Sequence, residues 1–330
     1  MSKYFRITLW VLMVASTPML FLSFSSFALI DLAASAVGLL FSALYLVIVM
    51  WLLSITPLWP DFKSYRRLPD GTKRKGQGST FLWVFSSLWW GACVAVGIVM
   101  LMGLSVFDLM DKLNWDFVSM SFAGAYPEEI AKALGVAIIL LRFRQLNRPW
   151  HGFVTGALVG LGFEVNENIL YGATGAMFDP NSDMAGVLVM WQYRTLAGPL
   201  IHTLLTGFAG YGIALAFFTA RKSVAWRIGV AAVGLGIAFV LHFSWNLLWE
   251  SYTAQIINIV VISLIMYPLA AFIIWRSWKE SRDDQTYAYA PGAITTAREL
   301  ALIAPPAVVS EVLTAPEQDQ VEQDPPRYSS

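Results

Sequence analysis

One cysteine, Cys93, stands in 330 residues, so the chain builds neither a disulfide framework nor a Cys-ligated metal cluster. Charge is scarce too. Only 13% of the residues are Asp, Glu, Lys or Arg, and 22 basic residues balance 22 acidic ones, so no global basic field points to nucleic acid. What fills the chain is apolar: 57% of it is hydrophobic, with 14 Trp and a mean hydropathy of +0.60. A soluble domain of this size could not hide that much apolar surface. The composition is that of a polytopic membrane protein.

Runs of about 20 apolar residues, long enough to cross ~30 Å of hydrocarbon, fall at 7–27, 33–55, 81–107, 117–141, 153–171, 197–220, 228–249 and 256–275. They predict an all-α integral membrane bundle of about eight transmembrane helices. All the basic residues except Lys112, Lys132 and Arg194 lie on alternate loops or the two ends, among them Lys3, Arg6, the Lys63–Lys75 loop, Arg142, Arg148, Arg227 and Lys279. Cytoplasmic segments carry such residues, so both termini are expected to be cytoplasmic, in a multi-pass protein of the cell membrane. The first run has a rival reading as a signal peptide, because Lys3 and Arg6 precede it and Ser26-Phe27-Ala28 ends it, but it exceeds the usual 7 to 15 residue apolar region. Residues 283–330 are rich in Pro, Ala, Gln and acids and read as a disordered cytoplasmic tail. The expected division is 1–116 with three helices and a basic loop, 117–250 with a four-helix core, 251–282 with the eighth helix, and 283–330.

Spans four to seven carry ionisable or strongly polar groups that are costly at the bilayer centre: Glu128, Glu129 and Lys132; Glu164 and Glu167; His202; His242 with Asn246. Lys132 lies one helical turn from both Glu128 and Glu129 and can neutralise one of them, leaving the other over. Gly152, Gly156, Gly160, Glu164 and Asn168 form an i+4 ladder, with Phe163, Glu167 and Tyr171 alongside. Small residues permit close helix approach, so this face is the packed one. Counting residues from the span ends puts all four sets about 8–16 Å from the outer boundary, where they form one site reached from the extracytoplasmic side. Arg194 enters span six from an outer loop and is placed to reach substrate or one of the Glu residues. The tryptophans read mostly as interface anchors.

The motifs EExxK (Glu128 to Lys132), FExxEN (Phe163 to Asn168), the intramembrane His202 and HxxxN (His242 to Asn246) resemble, in order, those of PrsW-type intramembrane proteases, relatives of the CPBP/Abi and CAAX prenyl proteases. The resemblance covers roughly residues 119–250. It implies a peptidase in which Glu128 and Glu129 hold the general base, His202 is its partner, and His242 with Asn246 stabilises the oxyanion. Lys132, Glu164, Glu167 and Asn168 would support them. The chain departs from the CAAX-protease pattern by Lys132 in place of Arg and by the carboxylate Glu167 in place of His.

The chemistry stands without the family. A buried Glu is a usable general base, carboxylates in different surroundings take different roles, and Asn and His donors stabilise an oxyanion. No cofactor is required by that reading. Zn²⁺ is the alternative, held by Glu129, Glu164, His202 and His242 from separate helices, since HExxH is absent. The expected partners are membrane lipids and a single-pass or other membrane-protein substrate. A proton-coupled transporter or channel, and a catalytically inactive partner-binding protein, are the competing readings.

Overall fold

The computed structural model describes residues 3–29, 31–60, 62, 66–67, 73–74, 79–143, 145–219 and 222–282. The expected tail and most of the basic loop lie outside them. The described chain is helical apart from one short antiparallel pairing, β1 (Arg66–Arg67) with β2 (Lys73–Arg74).

The first expected span is two helices, α1 (Lys3–Ala15) and α2 (Thr17–Ala28). Pro18 explains the break, because it lacks an N–H and its ring crowds the carbonyl four residues back. Ser16 and Thr17 both donate their hydroxyls to the Met13 carbonyl there. α3 (Leu32–Ser54) begins on Asp31, whose carboxylate accepts from Ala34 N at 2.6 Å. α4 (Thr80–Trp89), a π-helical turn at Trp90–Ala95 and α5 (Val96–Lys112) follow as one continuous helix. α6 (Asp116–Met120) leads through a second π-helical turn, Ser121–Ala125, into α7 (Tyr126–Arg142). α8 (Pro149–Phe178), α9 (Asp183–Leu196), α10 (Ile201–Phe218), α11 (Val224–Trp245) and α12 (Tyr252–Arg282) complete the chain.

Among the described residues, six helical stretches are long and apolar enough to cross a membrane: Tyr4–Ser25, Leu32–Ser54, Thr80–Lys112, Asp183–Phe218, Val224–Trp245 and Tyr252–Arg282. The protein is therefore a multi-pass membrane protein. The other two expected spans, 117–141 and 153–171, are helical but carry Glu128, Glu129 and Lys132 on one and Glu164 and Glu167 on the other. Such helices need protein around them rather than lipid. α8 has it, packing against α2, α3, α4, α7, α9, α10 and α12.

The glycine ladder of α8 is the seam with α10. A methyl added at Gly152 would strike Gly210 O, one at Gly156 would strike Thr206 O, and one at Gly160 would strike His202 O. Backbone therefore meets backbone along this line, as the i+4 spacing predicts. Two readings need correction. The segment after α8, expected to be an outer loop, contains a helix, α9, started by Ser182 accepting from Ala185 N at 3.2 Å. Several tryptophans are core rather than interface: Trp83 and Trp90 are fully buried and donate to Thr155 Oγ1 and Ala131 O. A smaller apolar cluster around Ala34, Ile169, Val187 and Trp191 ties α3, α8 and α9 together.

Candidate active site

Four elements bring the polar residues together. α7 supplies Glu128, Glu129 and Lys132 just after the π-helical turn. That turn accommodates Pro127, which cannot donate to an ordinary helical carbonyl. α8 supplies Glu164, Glu167 and Asn168, α10 supplies His202 in its first turn, and α11 ends with His242 in its last turn and Asn246 as its C-cap. Glu128, Glu129, Lys132, Glu164, Asn168, His202 and His242 are all buried.

Lys132 is the hub. Its ammonium lies 2.7 Å from Glu129 Oε1, 3.3 Å from Glu128 Oε2 and 3.1 Å from His202 Nδ1. Instead of one paired Glu and one left over, both are held. An ammonium only donates, so His202 Nδ1 accepts, and the ring proton sits on Nε2, which donates to Glu167 Oε2 at 2.8 Å. His242 is fixed in the same way: its Nδ1 donates to Glu129 Oε1 at 2.8 Å, leaving Nε2 as the lone-pair nitrogen. Each imidazole is thus backed by a carboxylate on one side. On the other side, both unprotonated nitrogens lie near Glu128 Oε2, His202 Nδ1 at 3.7 Å and His242 Nε2 at 3.8 Å, with the Lys132 ammonium bridging His202 Nδ1 and the carboxylate. The rings stand 5.0 Å apart.

Three acceptor atoms so placed repel unless a cation or proton lies among them, and the Lys132 ammonium lies between Glu128 Oε2 and His202 Nδ1. A four-coordinate zinc with N and O ligands at about 2.0–2.2 Å holds its ligand atoms roughly 3.4 Å apart, close to these separations. Carboxylate-backed histidines are also the usual arrangement around a metal. Glu128, Glu129, His202 and His242 each offer a ligand atom, all within 4.8 Å of one another. Charge points the same way. Glu128, Glu129 and Glu167 pair with the two cations Lys132 and Arg194, an excess of one negative charge when both imidazoles are neutral. The residues present therefore fit a divalent cation.

Glu164, expected among the ligands, does not join this set. Its Oε1 accepts from Tyr45 Oη at 2.5 Å and Leu200 N at 3.0 Å, and its Oε2 accepts from Thr203 N at 3.2 Å and Thr203 Oγ1 at 2.9 Å. It caps α10, where donors lack intrahelical partners, and Glu128 takes its place in the cluster. Glu129 Oε2 is different again: it is buried with no hydrogen-bond partner. Asn246 is half-buried, and a methyl at Gly124 would stand 3.0 Å from its Nδ2 and 3.3 Å from Glu128 Oε1. The missing side chain at Gly124 leaves the amide and the carboxylate facing a shared space. Arg194 on α9 donates to Glu167 Oε2 at 2.5 Å and to Asn168 Oδ1 at 2.7 Å. Arg194 and Glu167 form the more open edge of the site, with side chains 16% and 17% exposed against 1% for Glu129.

Sequence reasoning misses Tyr45 and Thr203. A tyrosine within the otherwise apolar second span is the one signal that could have found the first, while the second is an ordinary helix threonine until α10 is known to start at Ile201.

Residues 79–273 match the family model described as PrsW family intramembrane metalloprotease. No curated protein and no solved structure matches the chain.

Proposed function

The chain belongs to the PrsW family of intramembrane metalloproteases, and from that premise we propose that it hydrolyses a peptide bond of a membrane-protein substrate at the buried Glu128, Glu129, His202 and His242 cluster. The observation that supports this reading is the pair of carboxylate-backed imidazoles whose unprotonated nitrogens both lie within 3.8 Å of Glu128 Oε2. Glu128 Oε2, His202 Nδ1 and His242 Nε2 would hold a divalent cation such as Zn²⁺, which when bound polarises a carbonyl and acidifies water.

The chain's own residues divide the remaining work. Glu129 Oε2, the carboxylate oxygen without a partner, takes the proton of the attacking water and returns it to the leaving amine. Lys132 holds Glu129 through its other oxygen, so the reacting oxygen keeps its direction. The Asn246 amide, across the Gly124 space from Glu128, donates to the oxyanion. Glu167, held by Arg194, fixes the His202 tautomer. Access is from the extracytoplasmic side of the cell membrane, and the substrate is a single-pass or other membrane protein.

One observation favours a second reading in the same reaction class. Lys132 already gives its three protons to Glu129, Glu128 and His202, a cation's place among the ligands. In that case the peptidase is of the glutamate type, with the Asn246 amide and His242, once it carries a second proton on Nε2, donating to the oxyanion.

An in-membrane cleavage assay against a library of single-pass proteins separates the two, comparing wild type with Glu128→Gln and Glu129→Gln, with and without a strong zinc chelator. Cleavage lost on chelation and restored by Zn²⁺ is expected for the first reading. Chelator-resistant cleavage that still needs Glu129 would replace it with the second. Cleavage undiminished in both variants would remove the catalytic assignment altogether.

A further inference from the structure

Every residue given a catalytic part above lies within 128–246, inside the family match, whereas α3 precedes it. Yet α3 reaches the site. The Tyr45 hydroxyl donates its proton to Glu164 Oε1 at 2.5 Å and accepts from Leu200 N at 2.9 Å, so both its donor and an acceptor position are used. Its ring lies edge-on to Trp191 of α9, with centroids 6.4 Å apart.

Leu200 shows what these bonds hold. It is left-handed, with φ 64° and ψ 17°, and among the described residues only Asn114 shares a positive φ without being glycine. A branched side chain disfavours that conformation, which persists only where its surroundings enforce it. Here they come from three helices. Tyr45 of α3 and Glu164 of α8 grip the Leu200 amide, and Tyr267 of α12 donates to Pro199 O at 2.8 Å. Glu164 also grips Thr203. His202 lies between the two gripped residues, so the placement of its ring follows from how this turn is pinned.

The geometry points to Tyr45 as a positioning residue for His202, supplied to the site by a helix outside the family-matched stretch. It acts through Glu164 and the Leu200 turn and touches no reacting atom. The inference rests on the reading of the cluster as a peptidase centre.

The test is Tyr45→Phe in the full chain, which keeps the ring against Trp191 and removes only the hydroxyl. Because sub-ångström displacements of a catalytic group are amplified in rate, kcat should fall about tenfold with KM unchanged. Amide hydrogen exchange at residues 200–203 should quicken, with the rest of α10 unaffected. Glycine tolerates the left-handed conformation, so in a Leu200→Gly background the same substitution should cost less than about twofold. Unchanged kcat, a rise in KM instead, additive effects in the two backgrounds, or unchanged exchange would each overturn the inference. A wild-type protein that cleaves nothing would count against the peptidase reading, and the exchange comparison would still decide the role of Tyr45.

Discussion

Among single side chains, Glu129 and Glu164 are both buried glutamates on neighbouring helices, and their surroundings give them opposite employment. Both oxygens of Glu164 are taken by Tyr45, Leu200 and Thr203, whereas Glu129 keeps one oxygen without a partner. Removing the first strands helix-start donors in the core, at about 1–3 kcal/mol. On the proposed mechanism, removing the second takes away a general base, worth about 10²–10⁴ in rate. Glu164→Ala should therefore lower the melting temperature more than Glu129→Gln does, and Glu129→Gln should lower kcat more than Glu164→Ala does. Thermal melts and turnover of both purified variants check this, and the same rank order in the two measurements would contradict it. Neither glutamate announces its employment in the sequence, because both sit in helical motifs at similar depth. The difference arises from Tyr45 and from the start of α10, which are remote in the chain.

At the level of helices, the seam between α8 and α10 decides where His202 stands relative to Glu167. Gly160 lies directly against the His202 carbonyl, so even a methyl there pushes the two helices apart. Gly160→Ala should cost about 1–3 kcal/mol of stability and lower activity with it. Gly236 of α11 has nothing within 4 Å of its missing side chain, so Gly236→Ala should leave activity intact and stabilise by up to about 1 kcal/mol. Melting curves of the two variants that cannot be told apart would refute the seam. This seam was legible, since glycines every fourth residue beside carboxylates mark a packed face whatever the partner. So were the one-turn spacings that join Glu128 to Lys132 and His242 to Asn246. The helix α9 was not, because its charged and polar residues interrupt the apolar run that marks a span. The burial of Trp83 and Trp90 was equally hidden: indole suits both an interface and a core that offers an acceptor, and Thr155 and the Ala131 carbonyl supply one. The left-handed Leu200 was illegible for a different reason, as leucine is the wrong residue for that conformation and only distant hydrogen bonds impose it.

For the whole molecule, an ion bound to Glu128, His202 and His242 would link α7, α10 and α11 across the bundle. Binding to the folded state alone stabilises by about 2.7 kcal/mol when the free ion is at 100 times its Kd. Zn²⁺ should therefore raise the melting temperature of the wild type and leave that of a His202→Ala, His242→Ala double variant unmoved. Equal shifts in the two proteins would place the ion elsewhere, and no shift in either would favour the glutamate-type reading. The enclosure of the cluster has a kinetic meaning as well. With Glu129 1% exposed and Lys132 fully covered, no scissile bond reaches them in the closed bundle. If the cluster is the peptidase centre, capture waits for helices to part, and the fraction of time they spend parted multiplies kcat/KM directly. On that reading the enzyme is paced by the breathing of its own walls, and its turnover should change with the thickness and fluidity of the bilayer, which cleavage in vesicles of different acyl length would reveal.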